Sequence, residues 1–180
     1  IGLTPKTHFL ASTGIEGRHA MPDVLVQMDG YAVRGLRNEQ IRQLYAKEYL
    51  NPTYEYGVTF ERGTAVTYGD RRHVFISGTA SIDNKGNVLH VGDIRKQTLR
   101  MLENVQALLA EAECTMDDIA SAIVYLRDPA DAGIVRQLFH ERHPALNYVL
   151  VHAPVCRPTW LIEMECIALK EVSHPEFIPL

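Results

Sequence analysis

The sequence predicts an α+β domain in which a mixed β-sheet carries two long helices on one face. Two segments in the second half of the chain have apolar residues at helical spacing, and several shorter runs alternate between apolar and polar residues as strands do. With 180 residues, 46% of them hydrophobic, the chain is long and apolar enough for a substantial core. We therefore expect one main domain.

An extension of the form ββα is predicted in front of this domain. Two strand-like runs, 24–28 and 31–34, flank the dipeptide Asp29-Gly30, which favours a β-hairpin. Asn38 is then placed to cap a helix, and Asn51-Pro52 is placed to stop it.

The rest of the chain is predicted to follow the order ββαβαββ. Asp93 is placed to cap the first helix and Asp128 the second, which Pro144 ends. The strands are predicted at residues 63–68, 73–77, 119–126, 148–153 and 161–169. The helical residues expected to face the sheet are Ile94, Thr98, Met101, Leu102, Val105, Leu108 and Leu109, then Ile134, Val135, Leu138 and Phe139. This pattern divides the chain into the extension (1–59), the main domain (60–169) and a tail (170–180).

The last predicted strand contains two glutamates within an apolar run. Alternation places Glu163 and Glu165 on the face opposite Ile162, Met164 and Cys166. A carboxylate there must either be paired or have a raised pKa, because desolvation disfavours its charged form. A raised carboxyl pKa is what a general acid needs near neutral pH, so both glutamates are candidates for such a role. The alternative is that they are solvated or paired with a cross-strand partner.

The surroundings of this strand favour a functional site. Cys156 and Arg157 lie in the turn that precedes it, so an acid, a thiol and a guanidinium are expected to converge at one end. The face that carries the glutamates also carries Leu161 and Ile167 and is too apolar to be left in water. We therefore expect a neighbouring subunit or a second domain to cover it, with a site between subunits.

The composition argues against several functional classes. A net charge of −4 and a pI near 6.1 provide no basic surface for phosphate groups, so no nucleic-acid partner is expected. Three cysteines without a CxxC pair are typical of reduced thiols in a cytoplasmic protein, and no apolar run is long enough to span a membrane. The first residues lack a signal-peptide pattern, and the start at Ile1 indicates a processed or partial chain. No metal or other cofactor is expected, because His140 and His143 lack further ligands nearby.

Several motifs, in order, resemble one known family. The segments Phe75–Ile82, Gly92–Thr98, Leu102–Asn104 and Ile162–Ala168 are similar to the Rid superfamily of YjgF-type reactive-intermediate deaminases, also labelled endoribonuclease L-PSP. This resemblance covers about residues 60–169. It implies a chorismate-mutase-like fold and a homotrimer with ligand clefts between its subunits.

Two positions depart from the deaminase pattern. The Pro-Ala-Arg motif, whose arginine binds the substrate carboxylate in deaminases, is replaced here by Pro144-Ala145-Leu146. The family tyrosine early in the core is matched by Phe60, whereas the glutamate that positions water is matched by Glu163. The resemblance therefore implies a small carboxylated substrate that is anchored differently.

A narrower resemblance is to the C-terminal part of chorismatases. It is carried by Phe60–Arg62, Ile76–Ile82, His90–Asp93 and Val155–Arg157 followed by Glu163, with a fainter likeness at Ser12–Gly14 and Tyr54–Phe60. Chorismatases cleave the enol ether of chorismate and release pyruvate, which implies that Glu163 protonates the enolpyruvyl methylene group. The substrate-binding residues that this resemblance implies are Cys156, Arg62, Arg157, Phe60, Gly78 and Thr79.

These observations support three functional hypotheses. The first is a chorismatase-like hydrolase of the Rid superfamily that acts on chorismate or a related carboxylated metabolite. The second is an imine or enamine deaminase with altered substrate anchoring. The third is a noncatalytic ligand-binding or assembly module.

Overall fold

The computed structural model describes residues 7–180, except for the side chain of Tyr56, and contains one six-stranded sheet with two α-helices. The strands are β1 (Ile41–Leu44), β2 (Gly63–Thr67), β3 (Arg71–Ala80), β4 (Ile119–Leu126), β5 (Tyr148–His152) and β6 (Ile162–Glu171). The helices are α1 (Ile94–Glu111) and α2 (Ala132–Arg142). The strand order is β1-β2-β3-β6-β4-β5, in which only β4 and β5 pair in parallel. The prediction of a mixed sheet with two helices is therefore confirmed.

Both helices contribute to a core on one face of the sheet, which we call the inner face. Asp93 caps α1 as predicted, since its carboxylate accepts a hydrogen bond from the backbone N–H of Lys96. Every α1 residue predicted to face the sheet is buried, as are Val135, Leu138 and Phe139 of α2, while Ile134 is half-buried. On β6 the buried inner-face residues are Ile162, Met164, Cys166 and Ala168. The predicted alternation along this strand is therefore confirmed.

The predicted ββα extension is wrong. Residues 24–34 form no strand, and the side chains of Leu25 and Val26 are 92% and 82% exposed. An isolated two-stranded hairpin is at best marginally stable, and within the described chain no strand of the sheet pairs with residues 24–34. The segment predicted as a helix after Asn38 instead contains β1, which pairs antiparallel with β2. Pairing with the sheet edge outweighs helix propensity there, because it also buries Leu44 completely.

Within residues 7–59 the extension therefore contributes one strand, β1, to the main sheet. The division of the chain at residue 60 stays a prediction. The prediction that the chain does not start with a signal peptide concerns residues 1–6, which lie outside the described residues. Within residues 7–180 neither α1 nor α2 is long and apolar enough to cross a membrane.

Candidate active site

Glu163 lies near the start of β6, the strand between β3 and β4. Its register partners are Ala80 on β3 and Tyr125 on β4. Strand alternation places its side chain on the outer face, opposite the two helices. It is nevertheless only 4% exposed, so another part of the chain must cover it.

A β-bulge in β3 lies beside Glu163. Ile76 pairs with Cys166 and Thr79 with Met164, so two β3 residues between them face a single residue of β6. The second of these two is Gly78, where a Cβ atom would lie 2.0 Å from Oε1 of Glu163. Only glycine leaves room for the carboxyl group in this position.

The N-terminal segment, which we define as residues 8–14, lies across the bulge. The backbone N–H of Ser12 donates to Oγ of Ser77 at 2.9 Å. The backbone N–H of Gly78 donates to Oγ1 of Thr13 at 2.8 Å. The segment therefore satisfies polar groups of the bulge and lies against the same glycine as Glu163.

Cys156 connects the N-terminal segment to the turn before β6. Its Sγ lies 3.2 Å from the carbonyl oxygen of Gly14. Cys156 is exposed as a residue, but partial desolvation of its thiol, and then the charge of Glu163, raises the pKa of the thiol above its ordinary value, so it stays protonated near neutral pH. The thiol thus lies within electrostatic reach of the acid and is not suited to act as a nucleophile. Its predicted contact with substrate stays a prediction.

The two candidate arginines occupy different positions. Arg62 is 3% exposed, donates from Nε and Nη2 to the carbonyl oxygen of Asn51, and places its guanidinium 5.4 Å from the ring centre of Phe60. Its charge acts on Glu163 and lowers the pKa of that carboxyl, which indicates proximity. Arg157 instead donates from Nη1 to the carbonyl oxygen of Gly86, on the turn after β3. Contact of either arginine, or of Phe60, with substrate stays a prediction.

Thr79 lies on the inner face according to its register with Met164. Its hydroxyl donates to the carbonyl oxygen of Ser77 at 2.8 Å, and the residue is 1% exposed. The observed role of Thr79 is therefore to support the bulge, and its predicted contact with substrate remains a prediction.

The environment of Glu163 shifts its acidity strongly. Burial, and then the charge of Glu165, raises the pKa of Glu163 to about 7, with Arg62 acting in the opposite direction. Among the described residues, no group donates a hydrogen bond to its Oε2. The carboxyl group is therefore close to half-protonated at neutral pH and suited to give or accept a proton.

Glu165 has a different environment, although it lies on the same face. It is half-buried and accepts a hydrogen bond of 2.9 Å from the hydroxyl of Tyr125 on β4. Burial, and then this hydrogen bond, raises the pKa of Tyr125. Glu165 is therefore a strand glutamate paired with a cross-strand partner, as the alternative interpretation of the sequence predicted.

A cavity of about 210 Å³ lies between the N-terminal segment and the outer face of the sheet. Its lining includes Thr13, Ser77, Glu165 and Ile167 but not Glu163, which lies deeper beside the bulge. The sequence predicted no site role for Thr13, Ser77 or Tyr125. The Ser-Gly pair inside an apolar strand was a usable signal for a bulge, whereas the contact between Thr13 and Gly78 spans 65 residues and has no local signature.

Leu146, to which the resemblance assigns the position of the deaminase arginine, is half-buried and packs against the core. It follows α2 and precedes β5. Leu146 is therefore a packed apolar residue and offers no charge to a carboxylate.

The chain is similar to known proteins over its second half. A sequence profile described as Endoribonuclease L-PSP matches residues 63–170. A RutC family protein of Pyrococcus abyssi is 35% identical over 100 residues, which are 54% of this chain and 79% of that protein. The 3-aminoacrylate deaminase RutC of Acinetobacter baylyi is 31% identical over 97 residues, which are 53% of this chain and 77% of that protein.

Among solved structures, a chorismatase superimposes with a TM-score of 0.63 at 22% identity, over 71% of this chain and 43% of that chain. This likeness confirms the fold. The profile covers more than half of this chain, and the curated relatives align over most of their own length. On these grounds, the chain belongs to the endoribonuclease L-PSP family, that is, to the Rid superfamily.

Proposed function

We propose that this chain is a small-molecule enzyme in which Glu163 protonates an electron-rich carbon–carbon double bond of a carboxylated metabolite. The observation that carries this proposal is a buried carboxyl group whose pKa is raised to about 7 and which lies against a glycine bulge. A neutral carboxylic acid at pH 7 is what protonation of carbon requires, and burial provides it.

The leading substrate class is a carboxylated enol ether such as chorismate. Glu163 donates its proton to the vinyl methylene carbon, which leaves an oxocarbenium ion at the neighbouring carbon. Water then adds to that carbon, and the Glu163 carboxylate accepts a proton from the attacking water molecule. The resulting hemiketal loses its alcohol, with the proton moving to the leaving oxygen, and pyruvate is released.

Three features favour the enol ether over an imine. Leu146 offers no guanidinium where deaminases bind a carboxylate, while Arg62 lies close enough to act on Glu163. The Glu163 charge also acts on the thiol of Cys156, which stays protonated. The segment that resembles chorismatases near residues 12–14 contacts the Gly78 bulge against which Glu163 lies.

The second candidate function is deamination of an enamine or imine. A curated relative at 31% identity is a 3-aminoacrylate deaminase. Protonation of an enamine carbon by Glu163 gives an iminium ion, and addition of water followed by loss of ammonia completes the hydrolysis. This reaction uses the same acid, so the two functions differ in substrate recognition and in the product released.

We also propose that the protein assembles as a homotrimer with ligand clefts between subunits, in the cytoplasm. The outer face supports this assembly because it exposes Val149, Ile167 and Leu169 by 56%, 39% and 42%. Light scattering on the purified protein is expected to give a mass three times that of the 20.3 kDa chain. A monomer would contradict the trimer, and the cleft would then have to lie within one chain.

The test of the proposed function measures pyruvate and ammonia release from chorismate and from 3-aminoacrylate. We expect pyruvate from chorismate, and a loss of about 100-fold or more in the variant Glu163→Gln, which removes the acid with little change of volume. The matched control is Glu165→Gln, on the same strand and face, which we expect to retain activity within about 10-fold.

The other outcomes separate the remaining hypotheses. Ammonia release from 3-aminoacrylate without pyruvate release from chorismate would favour the deaminase. Full activity of Glu163→Gln on either substrate would contradict the role of Glu163. No turnover of either by the folded protein would favour the noncatalytic binding module.

A further inference from the structure

The N-terminal segment lies outside residues 63–170, which the family profile matches, and yet it contacts the candidate acid site. It is held at several points before it reaches the bulge. The backbone N–H of Phe9 donates to Oε1 of Glu61 at 3.0 Å, and Ala11 forms a parallel bridge with the same glutamate. Beyond the bulge, the carbonyl oxygen of Gly14 meets the thiol of Cys156. The residues between these contacts are therefore fixed on both sides.

The methyl group of Thr13 lies close to the acid. A Cβ atom at Gly78 would lie 2.0 Å from Oε1 of Glu163 and 2.9 Å from Cγ2 of Thr13. Since both distances are measured to one point, the threonine methyl group and the carboxyl oxygen are less than about 5 Å apart. An apolar group at this distance contributes to the low-dielectric surroundings of the carboxyl group.

The hydroxyl of Thr13 has a separate effect on the bulge. A bulge disrupts the hydrogen-bond ladder, and Gly78 donates its backbone N–H to Oγ1 of Thr13 at 2.8 Å. An unpaired N–H at this half-buried position would attract water or shift the bulge. The hydroxyl group thus keeps Gly78 pressed against Glu163.

We propose that Thr13 is a positioning residue for the acid: it holds the Gly78 bulge against Glu163 and keeps water away from the carboxyl group. This inference deepens the proposed function and rests on it. The N-terminal segment then forms one side of the site. It belongs to a part of the chain that the family profile does not cover.

The test measures the pKa of Glu163 directly and needs no substrate. Carbon-13 NMR of protein labelled at the glutamate carboxyl carbon gives a titration curve for each glutamate, and the signal missing in Glu163→Gln identifies Glu163. Thr13→Val keeps the shape of the side chain but removes the acceptor for Gly78. Thr13→Ala removes both the acceptor and the methyl group that lies near Glu163. Thr13→Ser keeps the acceptor, and Ser12→Ala is the matched control because Ser12 bonds through its backbone N–H.

We expect the Glu163 pKa to fall by about one unit or more in Thr13→Val and Thr13→Ala, as water reaches the carboxyl group. Thr13→Ser, which keeps the acceptor for Gly78 but loses the methyl group, is expected to lower the Glu163 pKa less than Thr13→Ala does. Ser12→Ala is expected to titrate like the parent. Faster hydrogen exchange of the Gly78 amide in Thr13→Val would accompany this shift. Circular dichroism verifies that each variant is folded, and Thr13→Ala provides the result if the valine variant does not fold.

Two outcomes would overturn the inference in distinguishable ways. If the parent shows the raised pKa and both Thr13→Val and Thr13→Ala keep it, Thr13 has no positioning role, and the proposed acid function still stands. If the parent Glu163 titrates in the ordinary range of a glutamate, the proposed acid function fails and this inference fails with it.

Discussion

The outer face of β6 has two ends with opposite environments. At one end Glu163 is 4% exposed because the N-terminal segment and the Gly78 bulge cover it. At the other end the apolar residues Ile167 and Leu169 are 39% and 42% exposed. The charged residue is thus buried while the apolar residues on the same face are open. What lies across the strand, rather than the strand's own pattern, decides which side chain meets water.

The largest expected effect is on the pH dependence of the unfolding free energy, which reports how far water is excluded from Glu163 at the covered end. The folded pKa of Glu163, about 7, lies above the ordinary value of 4.5, so the unfolded chain releases this proton first as pH rises. The stability that the protonated group retains below pH 4.5 is therefore lost as pH rises to about 7. We expect the parent to lose about 3 kcal/mol of unfolding free energy across this range relative to Glu163→Gln.

Urea denaturation between about pH 4 and pH 8 measures this difference. The control is Glu165→Gln, at the half-buried position on the same face, which is expected to keep most of the loss seen in the parent, reduced by the part of the Glu163 pKa shift that the Glu165 charge causes. Parallel curves of unfolding free energy against pH for the parent and Glu163→Gln would show that water reaches Glu163 as freely as it reaches the open end.

A smaller effect is expected from closing the space that Glu163 occupies. Gly78→Ala places a Cβ atom 2.0 Å from Oε1 of Glu163, so the carboxyl group or the bulge must move. Overpacking of this kind is expected to cost about 2 kcal/mol of unfolding free energy and to reduce activity. The control is Gly133→Ala in α2, where a Cβ atom meets nothing within 4 Å and no loss is expected. Equal stability of the two variants in urea would contradict the close approach.

The smallest expected effect concerns the middle of the face. Tyr125→Phe removes the hydroxyl that donates to Glu165 and is expected to cost about 1 kcal/mol of unfolding free energy. Tyr54→Phe is the control, because Tyr54 is 72% exposed. If both substitutions cost the same in urea denaturation, the bond from Tyr125 contributes nothing measurable to the folded state.

The correct and incorrect predictions separate along the chain. The strand Ile119–Leu126 and the helix after Asp93 were predicted closely, because a periodic pattern and a capping residue mark each of them. The region before residue 60 was predicted wrongly. Its hairpin signal at Asp29-Gly30 and its helix signal after Asn38 are local preferences, and the final structure either leaves such residues exposed or pairs them with β2.

The candidate site divides in the same way. The sequence identified Glu163 as a carboxylate in an apolar strand and Cys156 as its neighbour, because both lie within one short stretch of chain. It did not reveal Thr13, Ser77 or Tyr125, which reach the same face from distant parts of the chain. Only folding brings these groups together.

By itself the sequence determined the fold class, the two faces of β6 and the presence of an acid candidate, because residue periodicity fixes which side chains share a face. The tertiary structure alone decided which glutamate is covered and which is paired. Those outcomes depend on the bulge at Gly78 and on the N-terminal segment that lies across it. The acidity of Glu163 is set by the low-dielectric surroundings that these distant residues create, and no local pattern encodes them.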